Sequence, residues 1–441
     1  MNMCTSLSSG TVREAAIAAQ SVSARLARAT GADRDAALEA IADALAAGTQ
    51  DILDANLRDL DAARTAGVSD AVLDRLRMDA GQIAGLAAMV REVAAMPSPL
   101  GETVSGSVLP SGLEVRQTRV PIGVIGMIYE GRPNVTVDAG ALCLKSGNAV
   151  LLRGSSVARE TNAALIEVMR GALTGTSIPV DAVQMVPGTT HASVQELMSL
   201  RGLVDIIVPR GGRRLIEAAV RGSLVPVIET GVGNCHIYVD READIEVALR
   251  VLLNAKAQRP SVCNAAESLL VHADIADAFL PLALDALKAR KVTVHGDARV
   301  CAYDSSVVPA TDEDWGTEYL SLDISAAVVD SMEAAVNHIR LHGTGHTEAI
   351  MTDSQSTARA FVAAVDTAVV AVNASTRLVD GAEMGLGTEL GISTQKLHVR
   401  GPMGLAAMTT TKYILTGDGH IRGDGSPAAG GGCEVLEDSG A

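Results

Sequence analysis

The feature that most constrains the fold is a regular alternation of apolar strand segments and helical segments that begins at Pro121. The strand segments are short and rich in Val, Ile and Leu, and they lie at residues 122–129, 149–153, 183–186, 204–208 and 225–229. Helical segments separate them at residues 137–145, 159–171, 191–199 and 213–221. This alternation predicts a parallel sheet with helices on both faces, an architecture that commonly binds dinucleotides.

A second block of the same kind begins at Lys256. Its strand segments lie near residues 268–271, 292–294, 326–329, 348–351 and 368–372. Aromatic residues make up only 2% of the chain while hydrophobic residues make up 48%, so the core must be aliphatic, as in parallel sheets buried on both faces. A chain of 441 residues has room for two or three domains of this α/β class.

The two ends of the chain have a different texture. Residues 11–98 repeat apolar positions at helical spacing and predict a run of helices. Residues 101–120 alternate polar and apolar side chains around a Pro-Ser-Gly turn, which predicts a hairpin; with residues 406–421 we expect it to form a small oligomerisation arm. Residues 422–441 are rich in Gly, Ser and acidic residues and are expected to be disordered.

The net charge limits the classes of partner, and the cysteine spacing indicates the cellular compartment. The formal net charge of −16 argues against nucleic acid or an anionic membrane as a general partner. No apolar stretch approaches the length of a membrane span, and the first residues lack the pattern of a secretory signal. The six cysteines are scattered without a CxxC pair, which indicates reduced thiols and a cytoplasmic location.

A glycine-rich turn after the first strand of an α/β sheet is the usual signal of a dinucleotide site. The G-x-G-x-x-G pattern is missing after the first strand, and the glycine-rich segment 385–391 has the wrong spacing and is interpreted as a chance match. Pro209-Arg210-Gly211-Gly212 is better placed, because it follows a predicted strand and opens a helix whose N–H groups can face a phosphate.

Cys263 is the candidate nucleophile. It follows Pro260 and precedes the strand segment 268–271, so it lies at a loop-to-strand junction where a thiol is accessible, and Arg259 can favour the thiolate. The alternative is that Cys263 is one more small apolar residue of the core, as free cysteines often are. The local sequence leaves both interpretations open.

Several long segments resemble one known family. They are PIGVIGMIYEGRPNVTVDAGALCLKSGNAVLLRGS at residues 121–155, VPVIETGVGNCHIYVD at 225–240, QRPSVCNAAESLLVH at 258–272, HGTGHTEAI at 342–350 and the run 372–405. Together they resemble the γ-glutamyl phosphate reductases, a branch of the aldehyde dehydrogenase superfamily. Departures from the family pattern are small and remove no reactive group: Gly131, Ala257, Ser261 and Thr344.

The resemblance implies a fold, a reaction and a set of partners. We expect an aldehyde dehydrogenase-like fold, with a Rossmann-type NADP-binding domain (residues 1–100 and 121–255), an α/β catalytic domain (256–405) and the arm. We expect NADPH-dependent reduction of L-glutamyl 5-phosphate to glutamate 5-semialdehyde and phosphate, a step of proline biosynthesis. A homo-oligomer and an association with glutamate 5-kinase are also expected.

The resemblance also assigns roles to residues. Cys263 would attack the acyl phosphate, and the Asn134 side chain with the N–H of Cys263 would stabilise the oxyanion. Glu229 matches the glutamate that serves as general base in relatives that hydrolyse a thioester; without water attack its role here would be a proton shuttle, a contact to the nicotinamide or a structural acid.

Cofactor and substrate residues follow in the same way. The family pattern assigns Arg153 to the adenosine 2′-phosphate of NADPH, Gly211 and Gly212 to the pyrophosphate, and Glu318 to the nicotinamide ribose. Five cationic side chains in the motif segments are candidates for reading the substrate's phosphate and carboxylate: Arg132, Arg259, Lys396, His398 and Arg400.

Three other functions could use the same residues, and no metal site is expected. Another thioester-forming aldehyde dehydrogenase or acyl-CoA reductase would share Cys263 but not need phosphate. A cysteine hydrolase pairing Cys263 with His398 would leave the nucleotide-like half unexplained, and a scaffold protein would not need the thiol. His342 and His346 have metal-ligand spacing, but the glycines between them disfavour a helix, so no metal site is predicted.

Overall fold

The structure is a computed structural model, and it describes residues 10–422. Residues 423–441 of the predicted disordered tail lie outside the described residues. The helices within the described range are α1 (Val12–Arg28), α2 (Gly31–Ala47), α3 (Thr49–Thr65), α4 (Asp70–Leu76), α5 (Ala80–Ala95), α6 (Asn134–Lys145), α7 (Arg159–Leu173), α8 (His191–Ser199), α9 (Arg213–Gly222), α10 (Ile245–Ala257), α11 (Ala273–Ala289), α12 (Ala298–Cys301), α13 (Met332–His342) and α14 (Gln355–Ala364).

The strands of the same range form four sheets. They are β1 (Thr103–Val108), β2 (Glu114–Pro121), β3 (Val124–Tyr129), β4 (Ala149–Arg153), β5 (Val183–Met185), β6 (Ile206–Arg210), β7 (Cys235–Val239), β8 (Ala266–His272), β9 (Thr293–Gly296), β10 (Val308–Pro309), β11 (Asp323–Val329), β12 (Thr347–Met351), β13 (Val369–Val372), β14 (Ile392–Ser393), β15 (Gly401–Pro402) and β16 (Thr409–Thr416). The predicted α/β class is confirmed.

The first sheet has the order β5-β4-β3-β6, and all its strand pairs are parallel. β3 and β4 are buried at every position, which explains their continuous aliphatic sequence. The N-terminal helices pack against this sheet in one continuous core. Local sequence starts them well, since α1 and α2 each begin with a capping box formed by Thr11 with Glu14 and by Thr30 with Asp33.

The second sheet has seven parallel strands in the order β10-β9-β11-β8-β7-β12-β13. Its strand β7 was not predicted, because buried His236 interrupts the apolar pattern; the histidine is accommodated by Glu348 on β12, whose Oε2 lies 2.9 Å from Nδ1. The sheet therefore begins at Cys235, before the boundary that the sequence predicts between residues 255 and 256.

The predicted strand at residues 225–229 is wrong as a regular strand. Only a single bridge joins Val227 to Ile207 of β6. The N–H of Ile207 donates to Pro226 O and the N–H of Ile228 returns to Ile207 O, but proline has no N–H to continue the ladder. The N–H of Glu229 then turns to the Gln395 side chain, and the segment leaves the sheet.

A separate antiparallel sheet, β1-β2-β16, forms the arm. The predicted hairpin is β1 with β2, and the C-terminal β16 pairs along the whole of β2 from Thr409–Pro121 to Thr416–Glu114. The long segment before it is not structureless, since β14 and β15 pair antiparallel within it. No helix of the described residues is long and apolar enough to cross a membrane.

Candidate active site

Cys263 lies in the short turn that links the end of α10 to the start of β8, as the loop-to-strand junction predicts. A second segment approaches it closely: a Cβ atom on Gly233 would lie 1.5 Å from the Cys263 carbonyl oxygen, so only glycine fits there. The thiol of Cys235 donates to the same carbonyl at 3.3 Å. The backbone of Cys263, the candidate nucleophile, is thus held by two neighbours while its side chain is half-buried.

Charged groups of both signs act on the Cys263 thiol. Burial raises its pKa above the usual value, the charge of Arg210 lowers it, and the carboxylates of Glu318 and Glu389 raise it. The N–H of Cys263 itself also favours the thiolate. The sequence named Arg259 as the thiolate's partner, but the largest favourable charge comes from Arg210.

Four arginines interact electrostatically with the Cys263 thiol or with one another, and we name Arg132, Arg210, Arg259 and Arg377 the arginine cluster. Burial lowers the pKa of Arg132, the positive charges of Arg210, Arg75 and Arg259 lower it further, and the Cys263 thiolate raises it.

Burial lowers the pKa of Arg377, Asp380 raises it, and Arg259 and Cys263 lower and raise it respectively. The Arg377 guanidinium also donates to Gln258 Oε1 and Asn264 Oδ1. Asp380 and Glu383 act on Arg377, but the guanidinium groups of Arg132, Arg210 and Arg259 form no salt bridge within residues 10–422. Like charges held near one another without a salt-bridge partner form a site for an anion.

Arg210 is central to this arrangement. It ends β6, and its guanidinium makes no hydrogen bond or ion pair within residues 10–422. Gly391 leaves room for it, since a Cβ there would lie 2.8 Å from Arg210 Nη1. A half-buried arginine without a protein partner is ready to bind a ligand's oxygen atoms.

Asn134 opens α6 directly after the Arg-Pro dipeptide. Its Nδ2 donates to Asp138 Oδ2 at 2.9 Å, one helical turn later. Burial raises the pKa of Asp138 to about 7, while Asn134 and the charge of Arg210 oppose this rise. Asp138 therefore orients the amide, and the second Nδ2 hydrogen remains available to an oxyanion.

Glu389 lies two residues before Gly391. Its negative charge raises the pKa of Cys263, whereas Arg210 lowers it. Its Oε2 atom is buried and has no hydrogen-bond partner among the described residues. Burial raises its pKa to about 7, and Arg210 opposes the rise. A buried acceptor without a partner is costly, so it points to a ligand that supplies the donor.

Glu318 and Cys263 are tied together by buried contacts. Glu318 Oε1 accepts the N–H of Gly233 at 2.8 Å. Lys256, on the helix before the nucleophile, forms a fully buried ion pair with Glu267 on the strand after it, with Nζ 2.5 Å from Oε2. The other oxygen of Glu267 accepts the N–H of Leu320, so one ion pair fixes both the nucleophile turn and the Glu318 loop.

Three of the predicted substrate residues are not brought to this cluster. Lys396 and Arg400 both form a salt bridge with the single carboxylate of Asp366, so both are engaged within the protein. His398 is exposed and makes no hydrogen bond within the described residues. Glu229 is half-buried, and its backbone N–H donates to Gln395 Oε1 at 3.1 Å. Arg132 and Arg259, by contrast, are members of the arginine cluster.

A cavity opens at the carboxyl ends of β4 and β5, where nucleotides bind in parallel sheets. Arg153 lines it, but its guanidinium is engaged: Nε donates to Ser193 Oγ at 3.1 Å, Nη2 to Thr190 O at 3.2 Å, and Nη1 to Gly154 O. Arg159, at the start of α7, lines the same cavity, is exposed, and has no such partner within residues 10–422.

The helix start at Gly211 and Gly212 also has a partner. The N–H of Gly212 donates to Glu130 Oε2 at 2.9 Å, and a Cβ on Gly211 would lie 2.8 Å from the same oxygen. The predicted phosphate-facing amide therefore carries a carboxylate in this structure. The chemistry is the one expected of a helix N-terminus, an anion on a backbone donor.

The histidines do not form a metal centre. No group of three or more His, Cys, Asp or Glu side chains within the described part of the chain is arranged to hold a metal ion. His346 is instead buried beside Cys235, with Nδ1 3.6 Å from its sulfur and 2.9 Å from Thr347 Oγ1. Burial and the charge of Arg210 lower the pKa of His346 to about 4, so its ring is neutral.

Sequence reasoning missed four residues of the site as functional groups. Arg210 was noted only as an extra charge at a helix start, although a polar residue at the carboxyl end of a parallel strand is itself a signal. Asp138 follows Asn134 by four residues, a spacing that places both on one helix face. Arg377 and Glu389 gave no local signal.

Comparison with known proteins agrees with this geometry. The aldehyde dehydrogenase family profile matches residues 3–303 of the chain. The chain is 60% identical over 411 residues to the γ-glutamyl phosphate reductase of Thermobifida fusca, spanning 93% of this chain and 98% of the relative. It is 53% identical over 420 residues to that of Kineococcus radiotolerans, spanning 93% and 97%.

A solved structure agrees at the level of the whole fold. The crystal structure of γ-glutamyl phosphate reductase from Thermotoga maritima superposes with a TM-score of 0.92 at 43% identity, covering 94% of this chain and 100% of that one. The chain belongs to the aldehyde dehydrogenase family and, within it, to the γ-glutamyl phosphate reductases.

Proposed function

We propose that this oxidoreductase reduces L-glutamyl 5-phosphate to L-glutamate 5-semialdehyde, using NADPH and releasing phosphate. The observation that carries the proposal is the arginine cluster beside Cys263. A substrate with a phosphate and a carboxylate brings about three negative charges at neutral pH, and such charge requires several guanidinium groups in one place. An uncharged aldehyde would not need them.

The first step belongs to Cys263. Its thiolate attacks the acyl carbon, the C–O bond to phosphate breaks, and a thioester with free phosphate results. Charge builds on the carbonyl oxygen, where the Asn134 amide and the N–H of Cys263 are proposed to donate. Arg210 acts twice in this scheme, because its charge favours the thiolate and then stabilises the departing phosphate.

The cofactor supplies the reducing power of the second step. When bound, a reduced nicotinamide supplies the hydride that converts the thioester to the thiohemiacetal level. Collapse of that adduct returns Cys263 as a thiolate and releases the aldehyde. Glu318 is proposed to hold the nicotinamide ribose, and the ion pair of Lys256 with Glu267 keeps its loop in register with the nucleophile.

The residues present fit a nicotinamide dinucleotide. The cavity at the ends of β4 and β5 is held open by Gly154, where a Cβ would lie 2.1 Å from Asn162 Nδ2. We retain Arg153 as a proposed wall of the adenosine site. Arg159 is proposed to supply the charge that binds the 2′-phosphate and so selects NADPH, because it has no protein partner within residues 10–422. Gly211 and Gly212 are proposed to meet the pyrophosphate once Glu130 withdraws.

The domain roles, the subunit assembly and the cellular setting are part of the same proposal. The first sheet with the N-terminal helices would bind the cofactor, the second sheet would carry catalysis, and the arm would join subunits of a homo-oligomer. Exposed Val104, Val108, Tyr413 and Leu415 on the arm are consistent with a covered surface. The free cysteines among residues 10–422 are consistent with a cytoplasmic enzyme, where a glutamate 5-kinase would supply the unstable acyl phosphate.

The decisive experiment runs the reaction backward. Purified protein is mixed with NADP+, glutamate 5-semialdehyde and inorganic phosphate, and NADPH absorbance is followed beside a Cys263→Ser variant. We expect NADPH formation that depends on phosphate and is abolished in the variant. Turnover with coenzyme A but not with phosphate would favour the acyl-CoA reductase alternative, and turnover without either would favour an ordinary aldehyde dehydrogenase.

A further inference from the structure

Three carboxyl groups lie in or near the candidate site, Asp138, Glu318 and Glu389, and among these three only Glu389 has a fully buried oxygen without a hydrogen-bond partner in the described residues. Asp138 is engaged by the Asn134 amide, and Glu318 accepts the N–H of Gly233. Glu389 keeps a buried Oε2 with no donor among the described residues. The proposed reaction assigns it no role, so its presence needs a separate explanation.

The fold holds Glu389 at this place by its backbone. The N–H of the next residue, Leu390, donates to Met403 O at 3.1 Å, and the Leu390 side chain is buried. Gly381 crosses beside it, with a position for a Cβ that would lie 3.1 Å from the Glu389 Cβ. The backbone that carries Glu389 is therefore held between the segments around Met403 and Gly381, and the residue is not on a freely exposed loop.

The negative charge of Glu389 works against the Cys263 thiolate. The charge of Glu389 acts directly on Cys263, in opposition to Arg210. An enzyme that only needed a reactive thiolate would gain nothing from a carboxylate there, because the carboxylate makes the thiolate less stable. Its cost is understandable if it binds something positive in the substrate.

We propose that Glu389 binds the α-ammonium group of the substrate. This inference rests on the proposed function, which supplies a substrate with one ammonium, one carboxylate and one phosphate. The arginine cluster takes the two anionic ends, and Glu389 is the buried acceptor left for the cation. An N–H of the ammonium group then satisfies the Oε2 atom, and the pair fixes which end of the substrate faces Cys263.

The test compares substrates with and without the amine. Glutamate 5-semialdehyde and 5-oxopentanoate are assayed with NADP+ and phosphate, at matched concentrations of open-chain aldehyde because the amino aldehyde cyclises. We expect the wild type to prefer the amino aldehyde about 30-fold in kcat/KM, as a charge-assisted hydrogen bond of about 2 kcal/mol predicts. In Glu389→Gln the ratio should fall to within about threefold of unity.

A matched control and a second readout keep the inference separate from the reaction. Glu383→Gln removes an exposed carboxylate of the same loop and should keep the wild-type ratio. Without any turnover, L-glutamate and glutarate can be compared as protectants of Cys263 against iodoacetamide. Better protection by glutamate in the wild type, lost in Glu389→Gln, supports the proposal.

Two outcomes overturn it. An unchanged substrate ratio in Glu389→Gln, with turnover intact, would show that the ammonium is read elsewhere while the proposed function stands. Equal protection by glutamate and glutarate in the wild type would reject the ammonium site. Absence of phosphate-dependent turnover in the wild type would count against the proposed function alone, because the protection assay does not depend on it.

Discussion

Two arginines end two strands of the same sheet and have opposite surroundings. Arg153 closes β4 and donates to Ser193, Thr190 and Gly154, so its charge is spent on holding the protein together. Arg210 closes β6, two strands away, and its guanidinium has no hydrogen-bonded partner within residues 10–422. The two arginines lie one register step apart at the ends of their strands, opposite Ile128 and Tyr129 of β3. The same residue type is in one case structural and in the other available to a ligand.

The difference shows that position on the sheet identifies a ligand-facing edge but not the group that binds. The carboxyl edge of a parallel sheet is where ligands bind, and both arginines lie there. Which of them binds depends on the acceptors that the surrounding loops provide. Beside Arg153 the cavity's available charge is Arg159, which comes from the following helix.

The largest effect is expected when Arg210, the arginine available to a ligand, is replaced. Arg210→Met should lower kcat/KM for phosphate-dependent turnover by about 10³-fold, because it removes a group that stabilises both thiolate and phosphate. The variant also raises the pKa of Cys263. The rise of its iodoacetamide rate with pH should therefore shift to higher pH, since less thiolate is present at any given pH.

Controls for this variant use charge and position. Arg210→Lys keeps the positive charge and should restore the alkylation profile while turnover stays reduced, because lysine lacks the planar fork that binds phosphate. Arg221→Met alters an exposed arginine on α9 and should change neither property. An unshifted alkylation profile in Arg210→Met would contradict the role of Arg210 at the thiol.

A smaller effect is expected at Arg153, and on a different quantity. Arg153→Met leaves the buried Ser193 hydroxyl and nearby carbonyls without their donor, so the free energy of unfolding should fall by about 2 kcal/mol. Denaturation with urea, followed by circular dichroism, measures this. If stability were unchanged while NADPH affinity collapsed, Arg153 would be a ligand residue like Arg210 and the contrast would disappear.

The smallest expected effect sharpens the comparison at Arg159. Arg159→Gln should weaken binding of adenosine 2′,5′-bisphosphate about tenfold and leave binding of 5′-AMP unchanged, because only the former carries the 2′-phosphate. Isothermal titration of the folded protein measures both without turnover. Arg170→Gln, on the same helix but paired with Asp181, is the matched position where no change in this selectivity is expected.

The sequence predicted most of the architecture for a physical reason. Strands such as β3 and β4 are buried on both faces and must be aliphatic, so their pattern is visible without any tertiary information. β7 escaped because His236 is tolerated only through Glu348, which lies 112 residues away. Residues 225–229 look like a strand, yet Pro226 prevents the ladder from forming.

The site was predictable only in part for a similar reason. Cys263 and Asn134 sit in motifs that local sequence and family resemblance single out. Glu389 lies inside the glycine-rich segment that was interpreted as a chance match, and its relation to Arg210 and Cys263 arises from folding alone. Lys396 and Arg400 illustrate the opposite error, since motif membership suggested a ligand role and both form a salt bridge with Asp366.

The buried pair of Lys256 with Glu267 has a consequence for how this enzyme can be engineered. Because the pair contacts both the turn that carries Cys263 and the backbone of Leu320, the two loops must be exchanged together. A chimera that imports one loop from a distant relative would leave a buried charge without its counterpart, at a cost of about 3–5 kcal/mol. A chimera that exchanges both loops and retains the ion pair avoids this cost.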